Sequence, residues 1–379
     1  MQGEGHRVHG MGLALEAPTW PAITDGEAAA VLAHFPLVAP ITTLSWHSPR
    51  PFSAATLIDT ADGALLLKRH HHQVRSVAGL AAEHGFIAHL ATAGLSVPEV
   101  LRTAEGASAV GLGEGTYELH RRSPGADLYR DHPSWTPFQS YDHAHAAGYA
   151  LARMHQAARG FNAPARTAQP LVASFTILPA HDPMAAMDAY IAARPALAAF
   201  LSARNWRSPL AALFADGASG LAPRLVRQPS LWTHNDWHPS NLLWAADGGV
   251  ATVFDFGLAD RTCAAHDLAT AIERTAFAWL ELGTKPDHAI ADLRAARALI
   301  AGYASAGPLS PDLIETAIRL LPLVHIEFAL SEIDYFAGIV GDEDATLLAW
   351  EGYLLGHADW FLSGAGRGFL ADLREEAGR

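Results

Sequence analysis

The period of hydrophobic and polar positions differs between the two halves of the chain. In the first half, short apolar or alternating runs of three to five residues predict β-strands. Asp62-Gly63 predicts a hairpin turn between two of them. One helix-period segment ends at Gly94, with Pro98 just beyond it. The predicted strands are 42–45, 55–58, 64–68, 109–112 and 117–119, and the predicted helix is 74–93.

The second half is dominated by the helical period, with one compact strand-loop segment at 231–260. A small antiparallel sheet with one helix, followed by a larger helical part, is an α+β arrangement in two lobes. We expect a leader at 1–20, a sheet lobe at 21–118 and a helical lobe at 119–379. The predicted helices of the second half are 143–158, 188–201, 209–214, 267–282, 287–305, 311–337 and 344–363.

Composition narrows the classes of partner. The 379 residues are 50% hydrophobic, enough for a large core in two domains or one two-lobed unit. The net charge of −13 argues against nucleic acid or an anionic membrane surface as the main partner. The single cysteine, Cys263, allows no internal disulfide and favours a reducing, cytoplasmic location. Neither a signal peptide nor a membrane-spanning segment is expected. The oligomeric state is left open.

A candidate metal site lies in the strand-loop segment. Two strand-like runs, 241–244 and 250–254, flank a turn composition near Gly248. A hairpin there would place Asn241 roughly opposite Asp255, with Cβ atoms about 5 Å apart. An amide oxygen and a carboxylate at that separation can bind one Mg²⁺ through bonds of about 2.1 Å.

Asp236 lies five residues before Asn241. His238-Pro239 breaks any helix between them, so we expect a loop that can fold Asp236 back over the metal site. Phosphoryl transfer needs metal ions that bridge phosphates and a carboxylate that orients the attacking hydroxyl and accepts its proton. Asp236, Asn241 and Asp255 supply that set.

The pattern His234-x-Asp236-x-x-x-x-Asn241, followed by Asp255-Phe-Gly257, resembles the catalytic loop and metal motif of the aminoglycoside phosphotransferase and choline kinase family. That family is related in fold to protein kinases. The resemblance implies ATP and Mg²⁺ as cofactors, Asp236 as catalytic base and Asn241 and Asp255 as magnesium ligands. It also implies that His234 is a structural brace of the loop.

The resemblance is closest over 231–275 and looser over 64–275. Lys68 ends an apolar strand, where it could bind phosphate or simply extend to water. Glu83, in the largely apolar segment 74–93, would need a cation if it faces inward. The resemblance implies the same Lys68–Glu83 pair. Glu99 and Glu105 are alternative partners.

The remaining nucleotide-binding candidates are Glu118, His120, Ser48 and Arg50. In kinase-like folds the adenine hydrogen-bonds to the backbone after the last strand, and Glu118 and His120 occupy that position. Ser48 and Arg50 are possible donors in the Pro-rich loop 46–52, which lacks the glycines of a protein kinase. The chain has no G-x-x-x-x-G-K-[ST] motif, which excludes a P-loop fold.

The spacing after Gly257 points to the kind of acceptor. Asp267 precedes an apolar-periodic segment and predicts a helix N-cap, a structural role. About nine residues separate Gly257 from Asp267, too few for a protein-docking loop. We therefore expect a small molecule with a hydroxyl group as the acceptor. Its identity stays open among an amino sugar, an amino alcohol, a homoserine-like metabolite and an aminoglycoside.

Candidate acceptor contacts lie on the predicted helix 311–337. His325, Glu332 and Tyr335 share a face at spacings of seven and three. They could bind the acceptor, or they could be satisfied buried polar groups. Trp237 could stack on a sugar ring or a cation, although core packing explains it equally well.

Other hypotheses fit parts of the pattern. Asp236 and Asp255 could be loop caps, and a nucleotide-binding pseudoenzyme would keep the fold without activity. His234 and His238 with Asp236 could be ligands of a metal-dependent hydrolase. His70-His71-His72 could bind a metal, but a solvated strand edge is the simpler interpretation. The combined pattern favours an ATP- and magnesium-dependent small-molecule kinase.

Overall fold

Two compact units make up the protein. The first comprises Met1–Ser134 and Leu242–Phe254, and the second comprises Trp135–Asn241 and Asp255–Arg379. This division places 119–134 and 242–254 with the sheet, whereas the sequence analysis assigned them to the helical part. The structure, a computed structural model, describes residues 6–9, 14–36, 41–61, 63–167, 169–217 and 220–377.

The described part of the first unit consists of antiparallel β-strands and two helices. Its five-stranded antiparallel sheet, within the described residues, has the order β3-β4-β5-β7-β6. The elements of this unit are β1 (Val8–His9), β2 (Leu15–Glu16), α1 (Asp25–Leu32), β3 (Ile41–His47), β4 (Ala54–Thr60), β5 (Gly63–His71), α2 (Val77–Thr92), β6 (Val110–Leu112) and β7 (Gly115–Arg121).

The two faces of this sheet differ in polarity. Leu65, Leu67 and Leu119 lie in a hydrophobic core that includes Val31 of α1. Because side chains alternate along a strand, Lys68 and its neighbours at i±2 project to the opposite face. The sheet thus has an apolar face covered by α1 and a polar face.

The sequence analysis located the strands of this sheet and helix α2 correctly but missed α1. A capping box formed by Thr24 and Glu27 begins α1, and the T-x-x-E spacing was visible in the sequence. The expected leader contains the β1–β2 pair, with Val8 opposite Glu16. Asp62, expected in the β4–β5 turn, lies outside the described residues.

A separate hairpin of β9 (Leu242–Trp244) and β10 (Val250–Val253) completes the first unit. Leu242 pairs with Val253, and the register shifts between Val250 and Thr252. The turn includes Gly248 at φ 85°, a left-handed conformation that favours glycine. The predicted hairpin is therefore confirmed, including its turn.

The second unit is mostly helical, with one short strand pair. Most of the predicted helical segments are present, but their continuity differs. Its elements are α3 (Tyr141–Ala157), α4 (Pro183–Ala192), α5 (Pro195–Ser202), α6 (Arg207–Gly217), α7 (Leu221–Arg227), β8 (Ser230–Thr233), β11 (Asp260–Cys263), α8 (Ala264–Thr275), α9 (Leu293–Ser305), α10 (Pro311–Leu320), α11 (Ile326–Tyr335), α12 (Glu343–Leu348), α13 (Gly356–Leu362) and α14 (Gly364–Ala377).

Three predicted helices are interrupted. The segment 188–201 is split by Pro195, which begins α5 because proline fits the first turn of a helix but not its interior. The segment 311–337 is divided by turns at 321–325. The segment 344–363 contains a π-helical stretch, Ala349–Leu355. Helix α14 was not predicted.

Helices α3 and α9 pack at very short range. A Cβ added to Gly148 would lie 1.9 Å from the carbonyl oxygen of Leu299. A Cβ added to Gly302 would lie 1.8 Å from the carbonyl oxygen of His145. Such a separation excludes any side chain, so the two glycines allow the two backbones to touch.

No single described helix has the length and apolar character needed to cross a membrane. One bent pair, α4 with α5, meets those criteria only when the two are counted together, and they meet at 111°.

Candidate functional site

The loop that follows β8 carries the predicted catalytic residues. It runs from His234 to a 3₁₀ turn, Pro239–Asn241. Asn235 has φ 60°, a conformation that asparagine tolerates better than most residues. Pro239 begins the 3₁₀ turn, so the expected absence of an α-helix here is confirmed.

Asp236 is held by its own loop. The Nδ2 of Asn241 donates to both the backbone oxygen of Asp236 (2.9 Å) and its Oδ2 (3.0 Å). The backbone N–H of Asp236 donates to Nδ1 of His234 at 3.2 Å. The Asp236 side chain is 16% exposed, so this carboxylate is oriented and still reachable.

Asp267 anchors the loop from α8. Its carboxylate accepts hydrogen bonds from the backbone N–H groups of His234 (2.9 Å) and Asn235 (2.8 Å). It also lies 3.0 Å from Nε2 of His155. Burial alone would raise the pKa of Asp267, but its hydrogen bond and charge interaction with His155 lower it.

The expected N-cap role of Asp267 is wrong. Helix α8 begins at Ala264, with Cys263 at the N-cap position, so Asp267 lies in the first turn. Strand β11 runs directly into α8, so the helix begins at Ala264, three residues before the predicted start at 267. The structural function expected for Asp267 comes from its contacts with the 234–235 backbone.

Asn241 and Asp255 provide a donor set suited to magnesium. Because Nδ2 of Asn241 donates to Asp236, its Oδ1 is left as an acceptor on the other side of the amide. Asp255 adds a carboxylate and has φ 58°. Leu242 pairs with Val253 at the open end of the β9–β10 hairpin. Asn241 directly precedes Leu242, and Asp255 follows Val253 after one intervening residue. Amide and carboxylate oxygens are the ligands that Mg²⁺ prefers, so these residues fit the ion.

When bound, the metal would neutralise part of the negative charge of the phosphate groups. The structure gives no metal-binding geometry, and the ligand roles of Asn241 and Asp255 remain predictions. The same holds for Asp236 as the base.

Arg274 of α8 forms an ion pair with Asp236, a contact that the sequence analysis did not anticipate. The guanidinium lies 4.9 Å from the ring centroid of Trp135 and 4.8 Å from that of Phe328. Arg274 is only 2% exposed. Burial lowers its pKa, whereas nearby Tyr353 and Glu332 raise it. A buried cation flanked by two rings therefore fixes the carboxylate of Asp236.

A small pocket of the second unit lies beside this ion pair. Its cavity volume is ≈ 20 Å³. Most of its lining is polar or aromatic. The lining residues are Ala173, Ser174, Asn235, His266, Thr270, Glu273, Arg274, Val324, His325, Glu327, Phe328 and Tyr353.

The two acids of this pocket are already engaged. Glu327 accepts from the backbone N–H groups of Thr176 (2.9 Å) and Ile177 (2.7 Å) and from the hydroxyl of Ser174 (2.5 Å). Oε1 of Glu273 lies 2.7 Å from Nδ1 of His357. Burial raises the pKa of Glu273 to about 7, and the charge of His325 opposes that shift. Arg274 is therefore the principal cation facing this pocket.

The predicted acceptor residues do not share one open face. His325 lines the pocket, and its Nε2 lies 3.1 Å from the carbonyl oxygen of Leu354. Glu332 and Tyr335 are buried and do not line this pocket. His325 is the N-cap residue of α11, the helix that contains Glu332 and Tyr335, and packing buries this helix instead of leaving the face open. Trp237 is fully buried, with its ring 5.5 Å from that of His234.

Glu332 has an unusual environment. Neither of its carboxylate oxygens has a hydrogen-bond partner within the described part of the chain. Burial raises its pKa to about 8, and the charge of Arg274 opposes that shift. Glu332 is thus poorly suited to a fixed negative charge, and its expected role in binding an acceptor stays untested.

In the first unit, Lys68 lies on β5 directly opposite Glu118 of β7. Glu83 is buried on α2. The alternative Glu99 is largely exposed and pairs with Arg121 at 3.0 Å. Burial therefore favours Glu83 over Glu99, and the Lys68–Glu83 pair remains a prediction.

Other predicted nucleotide contacts have additional roles. Ser48 is buried, and its Oγ accepts from the backbone N–H of Arg50 at 3.2 Å. The guanidinium of Arg50 donates to the carbonyl oxygens of His132 (2.7 Å) and Tyr129 (3.2 Å). The loop 48–53 is therefore tied to 129–134 through Arg50, an engagement that the sequence did not reveal.

The side chains of Glu118 and His120 were expected to matter only by position. The structure instead buries both in a cluster with His70 and His84. The expected solvated edge at 70–72 is wrong for His70, which points inward. It fits His72, whose side chain is 47% exposed.

The hydrolase hypothesis gains no support. Among the described residues, two groups each bring three potential metal ligands together, and neither group includes His234 or His238. Nδ1 of His238 lies 3.0 Å from the hydroxyl of Ser240, and Nε2 lies 3.4 Å from Asp236.

Sequence reasoning missed Glu273, Arg274, Glu327 and Tyr353. One signal was available for two of them. Glu273 and Arg274 stand together in α8, where every residue from Ala265 to Thr275 is buried. Adjacent charges in a completely buried helix need partners, but the sequence could not show which ones.

A sheet unit and a helical unit with this catalytic loop define a phosphotransferase with a protein-kinase-like fold. The family model of the phosphotransferase enzyme family, APH, matches residues 51–309. The chain therefore belongs to the APH phosphotransferase family.

Solved structures show the same fold. A microcompartment-associated aminopropanol kinase aligns with a TM-score of 0.57 and 17% identity, covering 89% of this chain and 98% of that one. An aminoglycoside phosphotransferase from Alicyclobacillus acidocaldarius aligns with a TM-score of 0.53 and 17% identity, covering 92% of this chain and 96% of that one. An amicoumacin kinase in complex with AMP-PNP and Ca²⁺ aligns with a TM-score of 0.52 and 16% identity, covering 93% of this chain and 91% of that one. No curated protein sequence matches the chain significantly.

Proposed function

We propose that this phosphotransferase moves the γ-phosphoryl group of ATP, with Mg²⁺, to a hydroxyl group of a small molecule. The observation that carries the proposal is the Asn241 amide, which orients Asp236 through Nδ2 and keeps its oxygen for a cation. The structural neighbours support it, since their named substrates are aminopropanol, an aminoglycoside and amicoumacin.

In the proposed reaction, the acceptor hydroxyl gives its proton to Asp236 as its oxygen forms a bond to the γ-phosphorus. The bond from that phosphorus to the β,γ-bridging oxygen breaks, and ADP leaves. Asn241 and Arg274 hold the Asp236 carboxylate in place for the proton. Asn241 and Asp255 would bind the magnesium.

We assign the acceptor to the side of the second unit that carries the small pocket. Arg274 lines that pocket and also contacts Asp236, which links the two places directly. Of the candidate acceptor contacts His325 and Glu332, only His325 is retained here, because Glu332 does not line the pocket. The single buried thiol of Cys263, with its pKa raised to about 11 by burial, is compatible with the proposed cytoplasmic location.

The test is a screen of amino alcohols, amino sugars, hydroxy amino acids and aminoglycosides with ATP and Mg²⁺. Acceptor-dependent ADP formation and a new phosphate-ester signal in ³¹P NMR are expected. Asp236→Asn should lower kcat by about 10²–10⁴-fold while ATP binding is retained. Asp247→Asn, in the exposed turn after β9, is the matched control and should be active.

Retention of more than about a tenth of the wild-type kcat by Asp236→Asn would contradict the assignment of the base. If ATP binds but none of the acceptors is phosphorylated by the wild type, the pseudoenzyme hypothesis replaces the proposed function.

A further inference from the structure

Three imidazoles converge on one carboxylate on the polar face of the sheet. Nε2 of His84 lies 2.7 Å and Nε2 of His120 2.9 Å from Oε2 of Glu118. Nε2 of His70 lies 2.8 Å from the other oxygen, Oε1. All four side chains are buried. We call these residues the Glu118 cluster.

The sheet register explains this convergence. Glu118 is opposite Lys68, and His120 is opposite Leu66, so Glu118 and His120 project to the same face as Lys68. His70, two residues beyond Lys68, also projects to that face. Helix α2 adds His84. Four polar side chains thus come from two neighbouring strands and one helix, which makes their arrangement rigid.

Burial makes this arrangement costly unless strong interactions compensate. Burial alone would raise the pKa of Glu118, but the charge and hydrogen bond of His120, with hydrogen bonds from His70 and His84, hold it well below its usual value. Burial alone would lower the pKa of His84, but the hydrogen bond and charge of Glu118 raise it. A metal ion binds the ionised carboxylate and the neutral imidazole, so it must compete with a proton for His84.

We propose that His84, His120 and Glu118 bind a divalent transition-metal ion, most suitably zinc. Their three donor atoms lie within 4.8 Å of one another. Two imidazoles and a carboxylate are a known zinc ligand set with a fourth position for water. His70, on the other carboxylate oxygen, would orient Glu118 as an outer partner.

Binding requires a small, defined change. Zinc bonds of about 2.0–2.2 Å in tetrahedral geometry place the donors about 3.4 Å apart. The present separations of 2.7 and 2.9 Å are hydrogen-bond lengths, so each imidazole nitrogen must move away from the carboxylate oxygen by about 0.5–0.7 Å. Each ligand imidazole binds through an Nε2 without a proton: a neutral ring carries its proton on Nδ1 instead, and an imidazolium releases one proton to solvent. The release from the imidazolium form makes the affinity fall as the pH is lowered.

A second group of the same composition serves as an internal control. His71, His72 and Glu114 also bring three donors within 4.8 Å. Glu114 is 79% exposed and His72 47% exposed, so water competes for these donors. A tight site is expected at the Glu118 cluster and not at this exposed group.

The test uses the full chain without a polyhistidine tag. The protein is loaded with zinc, dialysed, and measured for bound metal by mass spectrometry. Competition with a chromophoric chelator then gives the affinity. One equivalent of zinc should be retained by the wild type and by His72→Gln. Glu118→Gln and His84→Gln should bind more than about 100-fold more weakly, and His70→Gln about 10–100-fold more weakly.

Loss of all zinc from the wild type during dialysis would overturn the proposal, as would zinc affinity that falls with His72→Gln but not with Glu118→Gln. The Glu118 cluster would then be only a hydrogen-bonded network. If Glu118→Gln fails to fold, X-ray absorption of zinc-loaded His72→Gln decides. Imidazole ligands at about 2.0 Å support the site, and oxygen ligands alone refute it. None of these measurements depends on phosphotransferase activity.

Discussion

The ion pair between Asp236 and Arg274 permits a sharp test through stability, independent of any substrate. We consider Asp236→Asn, Arg274→Met and the double variant. Arg274 is 2% exposed and Asp236 16% exposed, so Asp236→Asn leaves a buried cation without its partner. Arg274→Met leaves a carboxylate that still accepts from Asn241.

The two single changes should therefore cost different amounts. At an effective dielectric constant of about 20, opposite charges about 4 Å apart attract by about 4 kcal/mol. Removing one member of a buried pair typically costs about 3–5 kcal/mol. We expect Asp236→Asn to approach that range. Arg274→Met should cost less, because its partner is partly hydrated.

The double variant carries neither charge. Its loss of stability should be smaller than the sum of the two single losses by about 1–3 kcal/mol. Chemical denaturation of all four proteins at pH 7 gives this coupling energy. The more exposed pair Glu315–Arg319 of α10, with side chains 31% and 36% exposed, is the control, and its cycle should give at most about 0.5 kcal/mol. Additivity of the Asp236 and Arg274 changes within about 0.3 kcal/mol would show that the two side chains do not interact.

Three further outcomes are expected. Asp255→Ala should weaken magnesium-dependent ATP binding more than Asp236→Asn does, measured by titration with and without Mg²⁺, and equal affinities would refute the division of roles. Burial raises the pKa of Glu332 from 4.5 to about 8, so between these values the native state binds more protons than the unfolded state, and the protein loses stability as the pH rises. Glu332→Gln should therefore gain stability relative to the wild type between pH 5 and pH 9. Parallel profiles of stability against pH for the two proteins would contradict this. Asp267→Asn should lower the free energy of unfolding by about 2–4 kcal/mol because it weakens the charge-assisted bonds to His234 and Asn235, and a loss below about 0.5 kcal/mol in thermal unfolding would show that the anchor is dispensable.

Local features of the fold were readable because they depend on neighbouring residues. The apolar run that ends at Lys68 specified a strand, and the turn composition at Gly248 specified the β9–β10 hairpin. A loop was predicted between Asp236 and Asn241, and in the structure this loop lets the amide of Asn241 donate to the Asp236 carboxylate. Each of these inferences joins residues close in sequence, or joins strands linked by a short turn.

Helix boundaries were less accurate. The hydrophobic period continued across Pro195 and across 321–325, although the chain turns at both places. Tertiary packing can favour a turn inside a periodic segment, and periodicity alone does not record it. His325 and Glu332 do belong to one helical run, with His325 at the N-cap of α11, but packing buries that run, which periodicity does not show.

The sequence by itself determined the order of sheet and helices and the candidate residues Asp236, Asn241 and Asp255. Only the tertiary structure decided which distant side chains meet. Arg274 reaches Asp236 across 38 positions (274 minus 236), and His84 reaches Glu118 across 34. The physical reason is that a buried charge must find a partner, but the partner is selected by packing and register, which no local pattern specifies.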